Sequence, residues 1–199
     1  IIYALVIENI YKVKSSCRVK DKFTILIIGG SQSASIFDMN LKNSIVNISK
    51  KKPIKIIQQT NKENVSYLKD FYSKNNIENK IFNFENNFEN IIKDADLCIT
   101  RSGASTLAEL SVINIPFIAV PLPTSKDNHQ LENANFYKEN DCCWVIDQTN
   151  FEKKIEHLLS EILTDKIEYL KKKENLKKLN YQNTWINVNQ KILEIINEN

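Results

Sequence analysis

Apolar residues in this chain come in short dense runs, each followed by a polar break and then by a stretch where they recur every third or fourth position. Phe23-Thr24-Ile25-Leu26-Ile27-Ile28 is nearly continuous and reads as a strand buried on both faces, hence parallel and central. A helix is predicted from Ile36 to Ile48. Ile54 to Gln58, after Pro53, is the next strand. Glu63 to Tyr72 is a helix with Val65, Leu68, Phe71 and Tyr72 on its apolar side. Lys80 to Phe84 alternates and is predicted as a strand. Phe88 to Asp94 is a short helix with Phe88, Ile91 and Ile92 inward. A strand at Leu97, another at Ile115 to Val120, a helix at Gln130 to Tyr137 and a strand at Cys142 to Ile146 complete the series. Such alternation predicts an α/β fold with a Rossmann-like, doubly wound parallel sheet. From Phe151 to Asn199 only helical spacing remains. Leu158, Leu159, Ile162 and Leu163 form one stripe there; Trp185, Ile186, Val188, Ile192 and Ile195 supply another. The expected organisation is a leading segment at 1–21, an α/β unit at 22–150 and C-terminal helices at 151–199.

The chemistry concentrates in the breaks. In Cys98-Ile99-Thr100-Arg101-Ser102-Gly103-Ala104-Ser105-Thr106-Leu107-Ala108-Glu109-Leu110 a buried strand passes through a small-residue turn into a helix. Ser102 or Ser105 is expected to cap that helix. Free backbone N–H groups and the positive end of the helix dipole make the turn fit an anion such as a diphosphate. Thr106 and Glu109 share a face one turn in, where a carboxylate can accept both hydroxyls of a ribose. The same pattern also describes an ordinary capped helix with a solvated Glu. Gly29-Gly30-Ser31-Gln32-Ser33-Ala34-Ser35 repeats the arrangement after the first strand. It offers backbone N–H groups and the Ser31 and Gln32 side chains, or simply a tight connection. It is neither G-x-G-x-x-G nor a Gly-Lys-Ser/Thr loop, so dinucleotide and P-loop sites are not supported. Ligands of such sheets bind at the carboxyl ends of the strands. Both glycine loops, Glu85 and the Pro121-to-Gln130 loop are expected on that one rim.

Composition narrows the class. Hydrophobic residues make up 42% of the 199 and charged residues 26%, as in globular proteins that bury a core. The net charge of +3 is spread over mixed lysines and acids, which gives no nucleic-acid signature. The three glycines fall at Gly29, Gly30 and Gly103, positions expected to need a backbone only glycine allows. The four cysteines, Cys17, Cys98, Cys142 and Cys143, contain no C-x-x-C pair, and only His129 and His157 could join them. No metal site is expected. Cys98, Cys142 and Cys143 lie in apolar runs and read as buried reduced thiols, favouring a reducing compartment. No apolar run reaches the roughly 20 residues of a membrane span. Ile1 to Ile7 lacks the basic flank of a signal peptide. The lysines at 171, 172, 173, 177 and 178 are expected on a solvated helix face, with contact to an anionic membrane surface as the alternative.

Three of these segments carry a family resemblance. Ile27-Ile28-Gly29-Gly30-Ser31-Gln32-Ser33-Ala34 resembles the G-G-S-Q-G-A loop of the MurG glycosyltransferases. Arg101-Ser102-Gly103-Ala104-Ser105-Thr106-Leu107-Ala108-Glu109 resembles their R-S-G-A-x-T-x-x-E segment. Pro121 with Lys126-Asp127-Asn128-His129-Gln130-Leu131-Glu132-Asn133-Ala134 resembles their P…(Q/H)-Q-x-x-N-A loop. Order and spacing agree from residue 24 to about 148. The resemblance implies the C-terminal, donor-binding half of a glycosyltransferase-B fold. The implied reaction moves N-acetylglucosamine (GlcNAc) from UDP-GlcNAc to the muramyl sugar of lipid I, with inversion, at the cytoplasmic face of the membrane and without metal or cofactor. It implies that Glu109 holds the ribose diol, that Ser105 and Thr106 hold the diphosphate, and that Ser31 and Gln32 lie near diphosphate and sugar. Gln130, with His129, meets the GlcNAc hydroxyls, and the backbone at Glu85 meets the uracil edge. Ser33 stands where the family has glycine. The family's Asn-Pro-x-Arg segment has no counterpart; Leu5-Val6-Ile7-Glu8 occupy that place. The general base and the lipid I surface are expected in an N-terminal domain that this sequence does not include, so the chain is expected to be a fragment. A stand-alone UDP-sugar-binding subunit that needs a partner chain is the alternative. A UDP-GlcNAc 2-epimerase relative is another, which the Gly-Gly-Ser-Gln loop and the segment from Lys126 to Ala134 argue against. A non-catalytic nucleotide-binding module is a further class that fits the isolated chain, since no acid–base pair is evident in it.

Overall fold

The computed structural model describes residues 6, 8–12, 21–29, 34–86, 88–179 and 185–197. Within them the apolar runs form six strands: β1 (Phe23–Ile28), β2 (Ile54–Gln59), β3 (Glu78–Phe82), β4 (Leu97–Thr100), β5 (Phe117–Ala119) and β6 (Cys143–Val145). All neighbouring pairs run parallel. The order is β3-β2-β1-β4-β5-β6, so the winding direction reverses between β1 and β4. That reversal opens a crevice above the two central strands.

The helices are α1 (Glu8–Tyr11), α2 (Ala34–Asn40), α3 (Lys42–Ser49), α4 (Val65–Lys74), α5 (Phe88–Ile92), α6 (Ala104–Val112), α7 (His129–Glu139), α8 (Phe151–Thr164), α9 (Lys166–Lys178) and α10 (Trp185–Asn197). Alternation along β1 divides the core. Leu26 and Ile28 join Cys98, Leu107, Leu110, Phe117, Tyr137 and Leu176 on one face. Ile25 and Ile27 join Phe37, Leu41, Ile45, Ile48, Leu68, Tyr72, Phe151 and Leu159 on the other. Each fully buried Leu, Ile or Phe contributes about 1.5–3 kcal/mol, which is why the central strands carry almost no polar residues.

Several boundaries differ from the expectation. The single helix predicted from Ile36 to Ile48 is two helices, broken at Leu41 (φ −105°). The stripe Phe37, Leu41, Ile45, Ile48 still runs unbroken into the core. β3 begins two residues earlier than predicted. Lys22 and Lys55 grip Glu78 at 2.8 and 2.9 Å, and the ladder ends at Phe82, leaving Phe84 75% exposed. β5 starts at Phe117 because Pro116 has no N–H to donate, although its carbonyl accepts from Cys98 at 3.0 Å. Cys98, Cys142 and Cys143 are buried free thiols; Cys17 lies outside the described residues. Of the second C-terminal stripe, Ile192 and Ile195 are 40% and 51% exposed, whereas the side chains of Trp185, Ile186 and Val188 lie outside the description. No described helix is long and apolar enough to cross a membrane.

The lysine run is not one solvated face. Lys172 is 5% exposed. Its Nζ lies 2.7 Å from Asp141 Oδ1 and 4.8 Å from the centre of the Trp144 ring, while the Trp144 indole donates to Glu168 at 2.9 Å. α9 is thereby fixed beside the edge strand β6, which would otherwise expose the side chain of Trp144. Lys177 and Lys178 remain exposed. Hydrogen bonds from Lys171 and Lys172 hold the Asp141 carboxyl below its ordinary value. A lowered carboxyl pKa stabilises the fold above the unfolded value, about 3.9, and that gain is lost as pH falls through the folded value. Asp141→Asn is therefore expected to lower the melting temperature at pH 7 and to have no effect at pH 2. An equal loss at both, read by thermal denaturation, would show that the charge is not what fixes α9.

Candidate functional site

β4 ends at Thr100, and the next three residues build the floor of the crevice. Arg101 is 7% exposed and Ser102 fully buried. The Arg101 guanidinium donates to the carbonyls of Val120 (3.0 Å) and Pro121 (3.4 Å) and to Gln148 Oε1 (2.7 Å). It also lies 5.6 Å from the centre of the Phe37 ring. Three segments, after β4, after β5 and after β6, thus meet on one cation that has no carboxylate partner among the described residues. Burial lowers its pKa, and its hydrogen bonds go to neutral oxygens, so its charge is not cancelled by a described carboxylate. The sequence pattern assigns Arg101 no role of its own. An arginine placed directly after an apolar strand and before a Ser-Gly turn is the signal that could have found it.

Gly103 is the N-cap of α6, with φ −67° and ψ 132°, and no side chain caps the helix. The expected caps, Ser102 and Ser105, do not serve: Ser102 is buried before the helix and Ser105 stands exposed in its first turn. Nor does Gly103 need a conformation reserved for glycine. A Cβ added there would meet nothing within 4 Å, so the glycine leaves open space above the turn. The first intrahelical bond runs from Leu107 N–H to Gly103 O at 3.1 Å. The amides of Ala104, Ser105 and Thr106 therefore have no carbonyl within the helix, and they border that space.

One turn further on, Glu109 is half-buried beside Thr106. Burial raises its carboxyl above the ordinary range, and no described side chain donates to it or pairs with it. It is a desolvated acceptor without a donor, the complement of a vicinal diol.

The loop after β5 supplies the opposite wall. It turns through two successive left-handed residues, Asp127 (φ 51°) and Asn128 (φ 54°), into α7. His129 Nδ1 lies 2.6 Å from Lys126 O, and because a carbonyl only accepts, Nδ1 carries a proton. Gln130 Oε1 accepts from the amides of Ser102 (3.3 Å) and Leu122 (3.0 Å). Asn133 Nδ2 donates to Ser102 O at 2.9 Å. Gln130 and Asn133, on one helical face, thus clamp the peptide groups of Ser102. The Gln130 Nε2 donors have no acceptor among the described residues.

Of the residues predicted for the site, Ser105, Thr106 and Glu109 lie together on α6, and Gln130 is bonded to the loop that begins it. His129 is next to Gln130 and exposed. Ser31 and Gln32 lie outside the described residues. Glu85 follows β3, three strand spacings from β4, or about 14 Å. Its carboxylate pairs with Lys80 at 3.1 Å. The neighbouring Phe84 ring, exposed on the same rim, was missed because the alternation had placed it in a strand.

A crevice at the switch point of a parallel sheet, with an uncapped helix N-terminus and a half-buried carboxylate one turn in, marks a Rossmann-like α/β domain whose rim suits an anion. Residues 24–184 match the glycosyltransferase family 28 C-terminal domain, and the chain belongs to that family. It is 46% identical over 200 residues to the UDP-N-acetylglucosamine--N-acetylmuramyl-(pentapeptide) pyrophosphoryl-undecaprenol N-acetylglucosamine transferase of Pelagibacter ubique, covering 100% of this chain and 56% of that protein. The protein of the same name from Rickettsia massiliae is 40% identical over 148 residues, covering 73% and 38%. The chain thus spans about half the length of the curated relatives it matches, or less. Among solved structures, Acinetobacter baumannii MurG superposes with a TM-score of 0.71 at 22% identity, covering 85% of this chain and 48% of that one. A UDP-GlcNAc 2-epimerase from Neisseria meningitidis, bound to UDP-GlcNAc, gives 0.59 at 15%, covering 92% and 46%. Both show the shared fold.

The Glu109 carboxyl gives a test without ligand. A raised pKa favours the fold while the group is protonated. The stability is full below the unfolded value, about 4.3, and falls as pH rises through the folded value. Glu109→Gln is expected to raise the melting temperature at pH 7 and to leave it unchanged at pH 3.5. Destabilisation at pH 7 would mean that Glu109 has a structural donor.

Proposed function

We propose that this chain binds UDP-GlcNAc and forms the donor half of an inverting transferase that places GlcNAc on a lipid-linked muramyl-pentapeptide. The observation that carries the reading is the open space at Gly103, bordered by free α6 amides, with the unpaired Glu109 carboxylate one turn away. The names of the relatives supply the donor and acceptor.

In this reading the diphosphate sits on the amides of Ala104 to Thr106, with the Ser105 and Thr106 hydroxyls as further donors. Glu109 accepts from both ribose hydroxyls. The exposed face of Phe84 takes the uracil ring, and the backbone at Glu85 meets its edge. Gln130 donates to a GlcNAc hydroxyl through Nε2 while Oε1 holds the Ser102 loop, and His129 meets another hydroxyl. Ser31 and Gln32 complete the diphosphate and sugar contacts from the loop after β1.

The acceptor hydroxyl attacks the anomeric carbon opposite the departing UDP and inverts it. Negative charge grows on the β-phosphate as the bond breaks. The α6 N-terminus opposes that charge without reorganising, which lowers the barrier. Metal ions and cofactors have no part in this scheme. The base that takes the acceptor proton is assigned to the part of the relatives beyond this chain's span. A polyprenol-linked acceptor stays in the bilayer, so the chain works at the cytoplasmic membrane surface, as a peripheral protein.

Calorimetric titration of the 199-residue chain with UDP-GlcNAc, UDP-glucose and NAD tests the reading. Selective binding of UDP-GlcNAc is expected. Glu109→Ala should weaken UDP binding by about 1.5–3 kcal/mol through lost charge-assisted hydrogen bonds. Gln130→Ala should weaken both UDP and UDP-GlcNAc, because it frees the Ser102 loop, and UDP-GlcNAc more. Unchanged UDP affinity in a folded Glu109→Ala chain would remove Glu109 from the site.

A further inference from the structure

A chain of hydrogen bonds, buried at its Asp38 end and exposed at its Asn83 end, runs across the β2–β3 side of the rim, and no role above uses it. It starts at Asp38 in α2, the helix that follows the first glycine loop. Asp38 is 6% exposed. Its Oδ1 accepts from Gln58 Nε2 at 2.8 Å, and its Oδ2 accepts from Thr60 Oγ1 at 2.5 Å and Asn64 Nδ2 at 2.9 Å. Gln58 is held in turn by the Tyr72 hydroxyl at 2.9 Å. Every donor comes from the segment at or just after the carboxyl end of β2, or from α4.

Thr60, 1% exposed, passes the connection on. Its amide donates to Phe82 O at 2.9 Å, and its carbonyl accepts from Asn83 Nδ2 at 3.0 Å. The Asn83 carbonyl accepts from Gln59 Nε2 at 3.3 Å. Asn83 is therefore gripped at both its side chain and its carbonyl, immediately before Phe84 and Glu85. The strut ties α2, whose Phe37 ring lies 5.6 Å from the guanidinium of Arg101 at the start of the Gly103 turn, to the loop proposed to meet the base. The Asp38 end of the network is buried and fully bonded, which makes it stiff, and nothing in the core packing alone requires an Asp at 38 or an Asn at 83.

We infer that Asp38, Thr60 and Asn83 are positioning residues that set the base loop relative to the diphosphate seat, and so make the site select a nucleoside diphosphate over a bare diphosphate. The inference rests on the reading that Phe84 and Glu85 face the base. The strut touches neither phosphate nor base; it fixes where Phe84 stands.

The test compares UDP with inorganic pyrophosphate, titrated into the 199-residue chain and followed by amide NMR shifts. Asn83 is exposed, so Asn83→Ala is expected to fold with little change in melting temperature. It should weaken UDP about tenfold while pyrophosphate stays within twofold. Thr60→Val, which removes the Oγ donor, should shift the ratio the same way, and Thr60→Ser, which keeps it, should restore the wild-type ratio. Equal losses for UDP and pyrophosphate, or no loss for either, would overturn the inference. If the wild-type chain itself fails to prefer UDP over pyrophosphate, the reading of the base loop falls first.

Discussion

The rim of this domain depends on one buried guanidinium. Arg101 reaches from the end of β4 to two carbonyls at the end of β5 and to Gln148 after β6, with the Phe37 ring beside it. An unpaired buried charge costs several kcal/mol. Carbonyl dipoles and an aromatic ring offset part of that cost and leave the site electropositive. The same residue therefore does two things. It welds three loops that share no sequence neighbourhood, and it leaves a positive charge at the carboxyl rim of the sheet with no carboxylate partner among the described residues. The Gln130 and Asn133 clamp on Ser102 works in the same direction. The side chains that hold the turn bind its peptide groups from behind and leave the α6 amides open.

The sheet was legible because its central strands, β1, β4 and β5, are buried on both faces. Dense apolar runs such as Phe23 to Ile28 leave no competing pattern, and the α/β alternation follows from them. The motif around Gly103 was legible for a related reason: small residues between a strand and a helix have few structural meanings. What the sequence hid lies in long-range pairing. Glu78 starts β3 early because Lys22 and Lys55, far away in sequence, neutralise it. Lys172 looked like part of a solvated basic face until Asp141 and Trp144 met it. Gly103 looked like a conformational requirement, yet its φ of −67° is open to any residue. Gln130 looked like a sugar ligand only; its carbonyl oxygen is already taken by two amides.

Both faces of the sheet serve the rim. One face carries α6 and α7, which present the seat and its wall. The other carries α2 and α4, which anchor the segments on the base side through Asp38 and Thr60. The amino ends of the strands are sealed differently. There the Tyr169 hydroxyl donates to Asp96 O at 2.8 Å, and Asp141 binds Lys171 and Lys172. Ionic fastening at that end leaves the carboxyl end free for binding loops, the division of labour expected of parallel α/β sheets.

The central claim is that the diphosphate of a nucleotide sits on the first turn of α6. The most direct measurement is an amide NMR titration of the isotopically labelled chain with UDP. The expected result is saturable shifts at Ala104, Ser105, Thr106 and Glu109, with the Asp141–Lys172 end unmoved. A separate groove of about 560 Å³ lies between β6 and α8, lined by Trp144, Lys153 and His157 among others. Shifts confined to that groove, with α6 silent, would contradict the account.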